Sequence, residues 1–270
     1  EQSKMNQLQS KLLEMLTWLS KYLEEHNIRY YVVAGTFLGA VRHEGFIPWD
    51  DDVDIAVPRA DYQRLLELLK EPVDHYVIES PYGGAPDFIY NFAKLYDTNT
   101  TMTEIARKYV TRGVYIDVFP LDGIGDTSEE SYRNYKKIDL CNMLLTMKIS
   151  TYRKGRKWWK NVAVACGALL PFNAGKMALK LDKLSAERDY DKCNYVGVLA
   201  TNARKNEIMP REYYGKPTPY KFENITVYGP EKAEEYLTRL FGDWRQLPPE
   251  NERGGGHFFT DIDMNRSYLK

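Results

Sequence analysis

Three things are scarce in this 270-residue chain. Cysteine occurs only three times, at Cys141, Cys166 and Cys193. An odd, widely spaced set gives neither a zinc pattern nor a disulfide framework, and it fits a reducing compartment. Net charge is nearly absent, at −1 with 37 basic and 38 acidic residues. No global field is therefore available to recruit nucleic acid. Long apolar runs are missing too, so no segment reaches the length of a bilayer span. No secretory signal is visible in a chain that opens on Glu1, and the expected location is the cytoplasm.

What is present concentrates between Ala34 and Val57, AGTFLGAVRHEGFIPWDDDVDIAV. Tyr30 to Ala34 reads as a short buried strand. Gly35 permits a tight turn, because it has no Cβ to clash. Thr36 to His43 reads as the first turns of a helix, with Thr36 as its cap. Asp52 to Val57 reads as the next strand, which sends Asp52 and Asp54 to one face and Val53 and Ile55 to the other. Two adjacent carboxylates raise each other's pKa. A divalent cation removes that conflict, and Mg2+ or Mn2+ takes such oxygen ligands. A nearby helix start offers N–H donors to phosphate. A solvated turn is the plain alternative, but it leaves the Gly-Thr turn and the following Ile-Ala-Val unexplained. An EF-hand is excluded, since Ile55 stands where glycine is required and Asp61 where glutamate is.

The string GTFLGAVRHEGFIPWDDDVDIAV resembles the LicD family of phosphocholine transferases, a branch of the nucleotidyltransferase fold related to fukutin. FAKLYDTNTTM, YIDVFPLDG and YLTRLFGDWRQLP extend the likeness. Thr36 stands where the wider superfamily commonly has serine, and the gap before Asp52 is longer. The resemblance implies an α/β fold with a mixed sheet and flanking helices. It implies cleavage of CDP-choline or another CDP-alcohol, transfer of the alcohol phosphate to a lipid-linked glycan or teichoic acid precursor, and release of CMP. Asp52 and Asp54 would hold the metal, with Asp50 a further candidate ligand. Gly35, Thr36, Arg42, His43 and Lys94 would meet substrate, Arg42 and His43 by adding positive charge. Asp117, within the β-prone run VYIDVF, would be the third acid, as ligand or base. Asp122, in what reads as the turn PLDG, is its runner-up. Transfer from an NTP and a non-catalytic metal- or carbohydrate-binding module are the rival functions.

Elsewhere, apolar spacing predicts helices over Lys4 to Glu25, Asp61 to Lys70, Ser131 to Ser150, around Met177 to Leu184, and over Glu231 to Phe241. Strands are expected at Tyr76 to Glu79, Phe88 to Tyr96 and Ile225 to Tyr228. The organisation expected is a core over 1–128, a helical insertion or lobe over 129–190, and C-terminal completion of the core over 191–270. Within the lobe, the basic-aromatic patch YRKGRKWWK leads into VAVACGALLPF. Tyr152 to Phe172 is a buried helix with a charged lead-in or a surface for anionic membrane, with nucleic-acid binding a third and weaker option for so small a patch. His257, after three glycines, reads as a surface histidine, with proton carriage as the alternative.

Overall fold

A computed structural model of the chain describes residues 5–105, 107, 109–200, 204–250, 253–254 and 259–269; His257 lies outside them. The chain opens with α1 (Gln7–Glu25). Its start lies beyond Lys4 because Asn6 caps it: Asn6 accepts from the Gln9 N–H and the Gln9 side chain reaches back. Next come β1 (Tyr31–Val32), α2 (Ala34–His43), β2 (Asp54–Pro58) and α3 (Arg59–Leu68), then β3 (Tyr76–Glu79) and β4 (Ala93–Asp97). A second set of strands follows, β5 (Thr101–Ile105) and β6 (Tyr109–Arg112), and then β7 (Tyr115–Gly125). Helices α4 (Ser128–Ile149), α5 (Trp158–Gly167) and α6 (Ala174–Ser185) form a separate run. The chain closes with β8 (Tyr195–Gly197), β9 (Met209–Pro210), α7 (Arg211–Tyr214), β10 (Thr218–Phe222), β11 (Ile225–Gly229), α8 (Ala233–Phe241) and β12 (Phe259–Asp263).

The main sheet is mixed and runs β1-β2-β7-β4-β3, with β2 and β7 parallel. Strand β7 is buried throughout its eleven residues. Its first half pairs with β2 and β4, and its second half turns to β8, which pairs on to β9. The fold is therefore the expected α/β type with a mixed sheet and flanking helices. Its main core joins α1 to the sheet and to Tyr214, Val227 and Tyr236 from the C-terminal segment. A second apolar cluster gathers Tyr135, Ile138 and Leu145 of α4 with Ala178 and Leu181 of α6.

Several expectations change, among them the strand read over Phe88 to Tyr96, which begins only at Ala93. The second strand begins at Asp54, not Asp52. Its partner β1 ends where Val33 donates to the Asp54 carbonyl, and the ladder with β7 begins at Asp54 opposite Asp117. The stretch PLDG is no turn: Asp122 and Gly123 sit in the β7 ladder opposite Gly197 and Val196. The small sheet β12-β5-β6 was not anticipated, since its edge strand β12 comes from the far end of the chain.

Candidate active site

The β1–α2 connection is tight, but the unusual backbone is at Ala34, with φ of 48°, and not at Gly35. A left-handed alanine is strained and persists only where its surroundings hold it. Its N–H donates to the Tyr236 hydroxyl at 3.2 Å, and Tyr236 packs edge-on against Phe37. Gly35 serves a different need: a Cβ there would lie 3.0 Å from an Asp50 carboxylate oxygen. Thr36 is not the cap, because the helix starts two residues earlier, after Val33. The Thr36 hydroxyl is buried and accepts the Asp54 N–H at 2.9 Å, which ties the first turn of α2 to the start of β2.

Sheet register then sets a polar row. Asp54 lies opposite Asp117 on β7, Asp117 opposite Lys94 on β4, and Lys94 opposite Glu79 on β3. Residues paired across neighbouring strands share a face. The Lys94 ammonium is buried, 3.0 Å from the Asp117 carboxylate and 3.5 Å from Glu104. It also lies over the Tyr115 ring, 3.4 Å from the centroid. Glu104 accepts hydrogen bonds from the hydroxyls of Tyr115 and Tyr90 at 2.8 and 2.9 Å.

The loop ahead of β2 adds Asp50, Asp51 and Asp52, whose carboxylate oxygens lie within 4.8 Å of one another. Burial, reinforced by Asp52 and Asp51, pushes Asp50 up to about 8. Asp54 is held well above the usual carboxylate range by burial first, then by Asp52, Asp117 and Asp50; Lys94 only partly offsets this. A region that resists ionisation of its own carboxylates has the donor chemistry for a hard divalent cation. A second group, Glu14, His75 and Asp97, is bridged by Lys11, whose ammonium lies 2.9 Å from Glu14 and 3.3 Å from Asp97.

Asp50, Asp52, Asp54, Asp117, Lys94, Gly35 and Thr36 thus come together. Arg42 and His43 stand in the last turn of α2, about 15 Å along a ten-residue helix from its start. Arg42 donates to the Trp244 carbonyl at 2.7 Å and to His43 Nε2 at 3.0 Å. Burial and then Arg42 depress the His43 pKa, so His43 adds no charge at neutral pH. Asp122 belongs elsewhere. Arg59 grips it at 2.6 and 2.7 Å and reaches Asp182 at 2.9 Å, in a buried cluster on the far half of β7. Sequence reasoning passed over Glu104, Tyr90 and Tyr115. Only Tyr115 left a signal, standing two residues before Asp117 and hence on the same strand face.

The family model described as LicD/FKTN/FKRP, nucleotidyltransferase domain, matches residues 27–140. The chain is 27% identical over 253 residues to the lipopolysaccharide cholinephosphotransferase LicD of Haemophilus influenzae, covering 91% of this chain and 92% of that protein. Shorter matches, each covering 22% of this chain, are to the uncharacterized proteins RP689 of Rickettsia prowazekii (40% identical over 60 residues, 23% of that protein) and RT0683 of Rickettsia typhi (40% over 63 residues, 20% of that protein). A relative that aligns along nearly the whole length, and a family model that spans both the acidic loop and Asp117, support one conclusion: the chain carries a LicD-type nucleotidyltransferase domain over residues 27–140 and is similar to LicD along nearly all its length.

Proposed function

We propose that the chain transfers phosphocholine from CDP-choline to a hydroxyl of a lipid-carried cell-surface glycan, such as a lipopolysaccharide or teichoic acid precursor, and releases CMP. The observation that carries this reading is the convergence of Asp50, Asp52, Asp54 and Asp117 beside the strained turn into α2. Likeness to a cholinephosphotransferase along 91% of the chain supports the transferred group. Asp52 and Asp54, joined by Asp50 and Asp117, would hold Mg2+ or Mn2+. When bound, the cation supplies positive charge that offsets what builds up on the leaving phosphate.

The remaining work falls to the chain's own groups. Asp117 accepts the proton of the attacking hydroxyl. Lys94 aims the Asp117 carboxylate, since the ammonium is itself fixed by Glu104 and the Tyr115 ring. Thr36 fixes the backbone of Asp54. The N–H groups at the start of α2 face the donor's phosphates, and Arg42, from the far end of that helix, contacts more distant parts of the substrate.

The donor is tested by incubation with CDP-choline, CDP-ribitol, CDP-glycerol or CTP. Metal-dependent CMP release that favours CDP-choline is expected. Pyrophosphate from CTP would point to nucleotidyl transfer instead.

Gly35→Ala gives a finer check. Its nearest contact is the end of the Asp50 side chain, which yields at little cost. The melting temperature is expected to stay within about 3 °C of wild type, a change of order 1 kcal/mol. Calorimetric Mg2+ affinity should nonetheless fall about tenfold, that being roughly 1.4 kcal/mol. Unchanged metal affinity would remove Asp50 from the site.

A further inference from the structure

The α4–α5 unit carries a feature that phosphate transfer does not use. Between Asp139 and Asp182 the chain has no acidic residue, while Arg153, Lys154, Arg156, Lys157 and Lys160 fall within eight positions. Helix α5 is seated on α4 by a narrow strip. Only Val164 and Gly167 are buried along it, and a Cβ on Gly167 would meet the Met147 carbonyl at 2.2 Å. Arg107 pins the contact, donating to the carbonyls of Lys148 and Val164 at 2.8 and 2.6 Å. Much of the rest of this apolar segment faces outward. Trp158 is 77% exposed, Trp159 52% and Leu169 84%. The buried-helix expectation for these tryptophans is therefore wrong: α4 offers α5 too narrow a face to cover them.

Beside the tryptophans, a cleft of about 580 Å³ opens between α4 and α5. Met143, Met147 and Val164 line its apolar part, and Arg156, Lys157 and Lys160 its basic part. Among the described residues no helix is long and apolar enough to cross a membrane. Exposed tryptophan beside clustered lysine is the chemistry of the bilayer boundary, where indoles sit at headgroup depth and ammonium groups meet lipid phosphate.

We infer that this face docks the protein reversibly on an anionic bilayer, with Trp158 and Trp159 entering the headgroup layer and Arg153, Lys154, Lys157 and Lys160 against the anionic headgroups. Charge complementarity selects this occupant over a second copy of the chain, because two copies would bring two basic clusters together. The inference stands apart from the reaction: it needs neither CDP-choline nor metal.

The test is co-sedimentation of the full chain with vesicles of phosphatidylglycerol and phosphatidylcholine, against phosphatidylcholine alone, without nucleotide. Wild type is expected to bind the anionic vesicles only, and less as salt rises. Trp158→Ala/Trp159→Ala should lose binding at an unchanged melting temperature. Lys154→Gln/Lys157→Gln/Lys160→Gln should weaken binding about a hundredfold, at roughly fivefold per charge. Wild type that ignores anionic vesicles, or binds neutral ones equally, would overturn the inference. So would a dimer that the tryptophan variant splits without any vesicle binding by wild type.

Discussion

Asp54→Asn is expected to abolish turnover while leaving the fold in place. Its carboxylate opens the polar row across the sheet, opposite Asp117, and its N–H is already committed to Thr36. Asparagine keeps the backbone contact and the shape but removes the charge. Loss of charge stabilisation at a transferring phosphate costs several kcal/mol, roughly a thousandfold or more in rate. Stability should move the other way. Asp54 titrates well above its ordinary 3.8 in the folded protein. The native state therefore binds more protons than the unfolded one, and metal-free stability falls as pH rises through that interval. Asparagine cannot ionise, so the variant should melt higher than metal-free wild type at neutral pH and lose less stability between pH 4 and 7. Asp52→Asn and Asp117→Asn should share the loss of turnover. Near-wild-type activity with normal melting in any of the three would remove that residue from the chemistry.

The second large effect concerns stability alone. Arg59→Ala should cost about 3–5 kcal/mol, because it strands the buried Asp122 carboxylate and leaves the buried Asp182 with the Tyr82 hydroxyl but no cation. For a chain of this size that is a fall of about 10 °C in melting temperature. Burial alone would lower the Arg59 pKa, but pairing with Asp122 and Asp182 more than reverses it. Burial in turn lifts Asp122 to about 6 even with Arg59 beside it. Without Arg59, Asp122 would titrate higher still, the native state would hold the extra proton, and stability should recover as pH falls toward 5. That recovery separates a stranded charge from a simple cavity. Thermal melts from pH 5 to 8 decide it. A change under 1 kcal/mol would mean that the cluster contributes little. Asp122→Asn should likewise spare the rate per folded molecule, unlike Asp117→Asn.

Asp122 and Asp117 also mark how far the sequence could be read. Both acids lie within one short run, and local chemistry put Asp117 first because a mid-strand carboxylate needs a partner; it is Asp117 that lies opposite Asp54. The role of Asp122 was hidden. Proline, leucine, aspartate and glycine look like a turn, and what keeps them in a strand is β8, some 75 residues later. Its partner Arg59 gave no sign either, since it falls between Pro58 and the helix read from Asp61. The order of strand, helix and strand around Gly35 was legible because apolar spacing fixes it locally. The strain at Ala34 was not, because Tyr236 supplies the brace from the other end of the chain. Glu104 was missed for the same reason: its importance lies in what it meets, Lys94 and two tyrosine hydroxyls, and not in its surroundings in sequence.

The most direct test of phosphocholine transfer follows the phosphorus. CDP-choline labelled at the choline-proximal phosphate is incubated with Mg2+, the protein and a lipid-carried glycan acceptor. The account predicts that label and choline move together into the acceptor, that unlabelled CMP appears in equal amount, and that Asp54→Asn does neither. Label retained in the nucleotide, or transfer that is equally fast in the variant, would contradict it.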